Sequence, residues 1–361
     1  MPNNSFADEL LAWHARAGRH DLPWQRQRTP YRVWVSEVML QQTQVSTVIP
    51  YFERFIARFP DVRALADAPA DAVLHLWSGL GYYARARNLQ RAAQVIRDEH
   101  DGSFPTQFAS VVALPGIGRS TAGAILALAC DQSHPILDAN VRRVLARVFA
   151  EPGRSGDKSL EERLWQRSAD LVPKGKVARY TQAIMDVGAT VCIPAKPACP
   201  QCPFQHRCLA HALGRPQDFP APRKVRVRPL RQVWMLLARR EDGAVRLIQR
   251  PASGIWGGLW SPPEFASQRE VELEVEQNTS GSATLEPLDE LRHAFTHFDL
   301  VIRPLRLDVV TGGEDVIGIA TGVADSPVKS MWYNPARPQA IGLPAPVTTL
   351  IQGLIQRLRT Q

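Results

Sequence analysis

The sequence predicts two domains of different class, an all-α first part followed by an α+β second part. Three observations carry this. The chain has 361 residues, more than one ordinary hydrophobic core organises, which suggests two or three domains. Apolar residues recur at helical spacing up to about residue 215 and alternate in strand-like fashion beyond about 231. Between them Pro216, Pro220, Pro222 and Pro229 break any helix. With 45% hydrophobic and 22% charged residues, the composition excludes global disorder.

In the first part, Thr29-Pro30 reads as a helix start, with Thr29 as N-cap and Pro30 in the first helical position. Trp34, Val35, Val38 and Met39 then give helical spacing over 31–44, and 89–96, 120–129 and 141–149 repeat the pattern. The expected boundaries are an all-α region over 1–214, a Pro/Arg-rich linker over 215–230 and a second domain over 231–361. The linker region carries Arg223, Lys224, Arg226, Arg228 and Arg231 with no acid among them. In the second domain 233–238 and 244–248 read as strands joined by a turn at Asp242-Gly243. The runs 298–303 and 305–310 alternate with period two, and a last helix over 346–359 aligns Leu350, Ile351, Leu354 and Leu358.

Lys plus Arg outnumber Asp plus Glu by 43 to 35, a net charge of +8. Such a balance suits a polyanionic partner, nucleic acid or an anionic membrane surface. The apolar run 122–130 is far shorter than the roughly 20 residues that span a bilayer. The opening residues hold Asp8, Glu9, His14 and His20 and no apolar signal core, so the expected location is the cytosol, with no membrane partner.

Four of the five cysteines, Cys192, Cys199, Cys202 and Cys208, follow a C-x6-C-x2-C-x5-C spacing. Pro194, Pro197, Pro200 and Pro203 interleave with them and force a tight non-helical wrap. Cytosolic thiols stay reduced, so the cluster reads as a metal site. Its spacing admits tetrahedral zinc or a [4Fe–4S] cube; a single CxxC unit with two longer intervals suits the cube better.

Leu114-Pro-Gly-Ile-Gly-Arg-Ser-Thr121 lies between two helical segments. Gly116 and Gly118 let main-chain N–H groups approach a phosphate at a helix N-terminus. On its own the motif is equally a plain helix–helix turn. Further on, Asp138 in Pro135-Ile-Leu-Asp-Ala-Asn-Val141 precedes a helix, where a lone Asp is ordinarily an N-cap.

The hairpin over 114–121, the following Asp138 and the four-cysteine loop over 192–208 occur together and in this order. In this the chain resembles the helix-hairpin-helix DNA glycosylase superfamily in its iron–sulfur branch. Within that branch it is similar to the MutY-type adenine glycosylases. Endonuclease III has a nucleophilic lysine just after the hairpin, and here Ser120 stands there; a hydroxyl cannot form the imine that strand cleavage needs. The run Trp34-Val-Ser-Glu-Val-Met-Leu-Gln-Gln-Thr-Gln44 is similar to the adenine-glycosylase signature. Leu247-Ile-Gln-Arg-Pro251 and Ile255-Trp-Gly-Gly-Leu-Trp260 resemble a Nudix-like domain. The hydrolase box is broken at Leu273 and Glu276, with Ile255 and Ser261 at its upstream Gly and Glu positions. A reader of the opposite base is therefore expected rather than a pyrophosphatase.

The resemblance implies a helix-hairpin-helix glycosylase domain with an iron–sulfur loop, followed by the Nudix-like domain. It implies a monofunctional base excision repair enzyme that hydrolyses the N-glycosidic bond of adenine mispaired with 8-oxoguanine or guanine, leaving an abasic site. Glu37 would be general acid and base, Asp138 the oxocarbenium stabiliser or nucleophile, and Asn140 an orienting partner. Gln42 and Tyr82 would wedge into the base stack, and Gly116, Gly118 and Ser120 would meet the DNA backbone. Phe295, Thr296 and His297 would read the opposite base, Thr296 replacing a family serine. One [4Fe–4S] cluster on the four cysteines would shape a basic loop with Lys174, Lys176, Arg179, Lys196 and Arg207 around it. The implied partner is double-stranded DNA bearing the mispair, bound by a monomer.

Overall fold

The computed structural model describes residues 5–222, 227–278, 284–309 and 329–359. Arg223, Lys224 and Arg226 of the basic stripe lie outside them. The chain divides into two compact units, Met1–Asp67 with Asn88–Val225, and Ala68–Arg87 with Arg226–Gln361. The helices are α1 Phe6–Ala17, α2 Pro23–Arg26, α3 Pro30–Leu40, α4 Val45–Arg58, α5 Val62–Ala66, α6 Ala70–Trp77, α7 Ala84–Glu99, α8 Phe108–Ala113, α9 Arg119–Cys130, α10 Ala139–Val148, α11 Lys158–Leu171, α12 Val177–Asp186, α13 Leu209–Ala212, α14 Gln268–Asn278 and α15 Ala345–Arg359.

In the first unit α3 starts as the sequence indicates, Thr29 accepting from the Arg32 amide at 3.3 Å with Pro30 in the first turn. The periodicity over 31–44 is nevertheless not one helix. α3 ends at Leu40, and α4 begins at Val45. Gln42 between them has a left-handed backbone, φ 59°, which no helix interior accommodates. α3 packs against α9, and α9 against α12. A core of Leu10, Leu145, Leu164, Ala183, Val187 and Phe204 binds α1, α10, α11 and α12 to the cysteine loop.

In the second unit the sheet order is β3-β2-β1-β7-β5, with β4 on β1, β6 on β7 and β8 on β2. These strands are β1 Leu230–Arg240, β2 Val245–Gln249, β3 Trp260–Ser261, β4 Glu264–Phe265, β5 Leu285–Pro287, β6 Leu291–Ala294, β7 Asp299–Val309 and β8 Ser330–Tyr333. The Asp242-Gly243 turn forms, with Gly243 at φ 82° and Asp242 capping the Ala244 amide at 3.0 Å. The runs 298–303 and 305–310 form one strand, β7, parallel to β1 over its whole length; Val310 lies outside the described residues. Pro304 inside β7 is tolerated because β6 pairs only up to Ile302 and β5 only from Leu305, so its missing N–H falls in the gap. α14 buries Val271 and Val275 against Leu236, Ala238, Leu305 and Leu307. α15 buries Val347, Leu350, Ile351 and Leu354, while the side chain of Leu358 lies outside the described residues.

The stretch 68–87 falls within the helical region that the sequence delimits as 1–214, yet it groups with the second unit. Its polar side chains explain this. Asp71 accepts from Trp260 Nε1 at 2.9 Å, His75 Nδ1 donates to the Ile341 carbonyl at 3.1 Å, and Tyr83 donates to the Leu343 carbonyl at 3.2 Å. Arg85 donates to the Leu80 and Gly81 carbonyls, and Arg87 to the Gly257 carbonyl at 2.6 Å. These two guanidiniums are engaged with backbone carbonyls inside the protein. Burial lowers Arg85 to about 10.

Candidate active site

Glu37 and Asp138 line one cavity of about 530 Å³ in the first unit. Glu37 lies near the end of α3, flanked in sequence by the buried Ser36 and Val38. Burial raises its carboxyl to about 8, and the Asp138 charge adds to the rise. At neutral pH it therefore holds a proton to donate.

Asp138 is indeed an N-cap. Its Oδ1 accepts from the Val141 amide at 2.8 Å, and its Oδ2 from Asn140 Nδ2 at 3.3 Å. Burial pushes this carboxyl up, while those two donors and the Arg143 and Arg142 charges pull it back. Capping and facing the cavity are thus compatible: the bonds that start α10 also fix the carboxylate. Ser120 lines the same cavity, and its hydroxyl accepts from the Leu137 amide at 2.9 Å, steadying the residue before Asp138.

Asn140 belongs to a longer chain of contacts. Its Oδ1 accepts from Arg143 Nη2 at 2.8 Å, and the same guanidinium donates to the Gly188 carbonyl at 2.7 Å and the Cys192 carbonyl at 2.6 Å. Asp138 is so connected to the start of the cysteine loop. Arg147, also on α10 and 3% exposed, donates to the Ile193 and Pro194 carbonyls at 2.8 Å and to Cys192 Sγ at 3.3 Å. All four cysteines of the loop border one small cavity with Arg147. Among the described residues no His, Cys, Asp or Glu group is gathered closely enough for a single metal ion. A ring of four sulfurs around a cavity, with a buried cation donating to one of them, fits a multi-atom anionic cluster.

Gly116 has φ 79°, and a Cβ there would lie 2.7 Å from Asn88 Cβ. Gly118 is extended and a Cβ there would meet nothing within 4 Å. Their reasons for being glycine therefore differ. Gly116→Ala should melt lower, having lost roughly 1–3 kcal/mol of stability to strain, whereas Gly118→Ala should melt with the parent. If Gly118 serves close approach of a phosphate backbone, its variant should instead bind duplex DNA several-fold more weakly. A thermal scan beside a DNA titration separates the two, and a Gly118→Ala protein that binds normally removes that residue from the interface.

Sequence reasoning did not bring every lining side chain to this cavity. Arg19 and Gln182 line it with the acids. The available signal was the polar face of an otherwise apolar helix, where Thr181, Gln182 and Asp186 are all buried. Gln42 is exposed, in the left-handed turn after α3.

The second unit brings its own group together. Tyr82 is 46% exposed with φ 48°, which excludes a place in the core. Its hydroxyl lies 3.2 Å from Thr296 Oγ1. Phe295 stacks on Phe298 at 4.5 Å between ring centroids, with His293 and Trp256 at its sides. The Phe295 amide donates to the Phe298 carbonyl, closing a tight turn that exposes Thr296 and His297. On α14 the acids pair locally, Glu270 with the Ala266 amide and Glu272 and Glu276 with Arg269.

Among the described residues no helix is long and apolar enough to cross a membrane. The profile of the HhH-GPD superfamily of base excision DNA repair proteins matches residues 35–169, and that of the NUDIX domain matches 233–353. The chain is 38% identical to an adenine DNA glycosylase of Buchnera aphidicola over 98% of both chains. It is 35% identical to the adenine DNA glycosylase of Rattus norvegicus, covering 82% of this chain and 69% of the relative. A thermostable thymine-DNA glycosylase is similar in structure, with TM-score 0.52 and 27% identity over 58% of this chain and 95% of the other.

Proposed function

Since this chain belongs to the adenine DNA glycosylase family of helix-hairpin-helix base excision repair proteins, we propose that it removes adenine from adenine·8-oxoguanine and adenine·guanine mispairs by hydrolysis. The observation that carries this reading is the pairing of Glu37, raised to about 8, with Asp138 in one cavity. A base inside a duplex is out of reach, so adenine must be flipped out, at a penalty of a few kcal/mol that a mismatch reduces. Glu37 donates its proton to adenine N7 and turns the base into a leaving group. Asp138, its oxygens fixed by Val141 and Asn140, stabilises the positive charge that develops at C1′ or attacks it transiently. Glu37, now ionised, takes a proton from the water that completes the abasic site. This is the division of labour between two carboxyls in glycoside hydrolysis.

Ser120 offers no amine, and its hydroxyl already accepts a backbone amide, so the product is an unbroken strand. Duplexes incubated with the protein should break at the adenine only after alkali. Breakage without alkali, or borohydride trapping of a protein–DNA adduct, would establish a lyase instead.

Tyr82 and Gln42, both exposed on left-handed backbone, are the wedge residues of this reading, and Phe295, Thr296 and His297 read the oxidised guanine. Gly116, Gly118 and Ser120 serve the DNA backbone. Cys192, Cys199, Cys202 and Cys208 hold a [4Fe–4S] cluster, which supplies no chemistry to the reaction and ties the loop over 192–208 together. Purified protein should be brown. Cys199→Ser should bleach it and lower duplex affinity; a colourless parent containing zinc would displace the iron–sulfur assignment. The protein acts as a monomer on one asymmetric duplex site, and phosphate contacts should make its binding fall steeply with salt.

A further inference from the structure

We propose that Trp256 sets how strongly the protein distinguishes 8-oxoguanine from guanine, as a positioning residue that holds the Phe295 ring and with it the turn that reads the opposite base; the inference rests on the reading of Phe295, Thr296 and His297 proposed above. Trp256 is 7% exposed and has φ 55°. A bulky side chain on left-handed backbone is strained, and such strain persists only where the surroundings impose it. The Trp256 carbonyl accepts from the Leu259 amide at 3.0 Å, and the Gly258 amide donates to the Pro251 carbonyl at 3.1 Å. Arg250 Nε donates to the Ile255 carbonyl at 2.9 Å. A Cβ at Gly257 would lie 2.4 Å from the Ala252 carbonyl oxygen, so the chain has no room to relax there. Glycine would take the Trp256 backbone without strain, so the indole needs a reason of its own.

Its ring contacts supply that reason. The Trp256 centroid lies 5.5 Å from that of Phe295 and 5.9 Å from that of His293. His293 meets Phe295 edge-on at 4.7 Å, and the buried Phe298 stacks on it at 4.5 Å. Phe295 is thus enclosed by Trp256, His293 and Phe298, and Trp256 backs His293 as well. Thr296 and His297 come next in the chain, exposed in the turn, so their placement follows that of the Phe295 ring. 8-Oxoguanine differs from guanine along one edge, by an oxygen at C8 and a hydrogen at N7. Hydrogen-bonding groups reject so near an isostere only when they are held in place. The same loop is tied to the stretch that carries Tyr82, because Arg87 Nη1 donates to the Gly257 carbonyl at 2.6 Å. Removing the indole therefore loosens the reading turn while leaving that tie intact.

The test uses the full chain and compares single-turnover adenine release opposite 8-oxoguanine with that opposite guanine, at protein concentrations below saturation. Trp256→Gly suits the left-handed backbone and deletes the ring. Its 8-oxoguanine-to-guanine rate ratio should fall by about three- to tenfold. Trp256→Phe restores an aromatic face and should hold the ratio within about twofold of the parent. In a Phe295→Ala background, Trp256→Gly should move the ratio by less than about twofold. Equal losses on both duplexes in Trp256→Gly, or an undiminished shift without Phe295, would show a merely structural role and overturn the proposal. Should Trp256→Gly not fold, Trp256→Leu takes its place, and a folded Trp256→Leu with the parent ratio overturns it. A parent that releases adenine equally opposite both bases, or a Phe295→Ala variant with the parent ratio, defeats the opposite-base reading itself. A lowered ratio in Phe295→Ala beside an unchanged one in Trp256→Gly defeats only this inference.

Discussion

Glu37→Gln should release adenine roughly 10²–10⁴-fold more slowly than the parent while binding the duplex with similar affinity. The amide keeps the shape and removes the proton. The parent's pH profile should show the same group: with Glu37 raised to about 8, release falls about tenfold per pH unit above that value. The acid limb depends on Asp138 and lies above the ordinary aspartate value, since burial raises that carboxyl. In the variant, stability should move the opposite way from activity. The folded state favours the neutral Glu37 carboxyl, so its contribution is fully present below the ordinary value of 4.5 and is lost as pH rises through about 8. Glu37→Gln should thus melt higher than the parent at pH 9 and nearly level with it at pH 4. A variant that releases adenine at the parent rate would remove Glu37 from the mechanism.

Asp138 can be tested with two substitutions because it does two things. Asparagine caps a helix as well as aspartate does, so Asp138→Asn should keep the parent melting temperature. It should still slow release by roughly 10²–10³-fold, the loss typical of removing electrostatic stabilisation of a developing charge. Asp138→Ala also loses the bond to the Val141 amide. It should melt about 2–4 °C lower and release adenine no faster than the asparagine variant. Equal rates in parent and Asp138→Asn would leave Asp138 as a cap alone.

Much of this site was legible in the sequence, since several of its parts are local. The Thr29-Pro30 start, the Gly116 turn and the Asp138 cap each depend on a few consecutive residues, and each stands where the spacing indicated. The break at Gln42 was not legible, because the polar run over 41–44 holds no Gly or Pro and only the backbone reveals the left-handed residue. The single strand across Pro304 was equally hidden. A proline reads as a break until the partners on both sides are known, and the gap between β5 and β6 accommodates it. The engagement of Arg85 and Arg87 with internal carbonyls could not be seen in a count of charges.

The sequence by itself determined the two-part organisation, the order of hairpin, acid and cysteine loop, and the residue types that such chemistry needs. These follow from periodicity, turn residues and spacing, which are properties of the chain taken in order. Only the tertiary structure decided what those residues experience. It placed Glu37 and Asp138 on one cavity, and it set Arg143 between Asn140 and Cys192. It grouped 68–87 with the second unit, and it set Trp256 against Phe295. Desolvation, hydrogen bonding and ring packing act between residues far apart in the chain, so the proton on Glu37 and the seat of Phe295 exist only once the chain has packed.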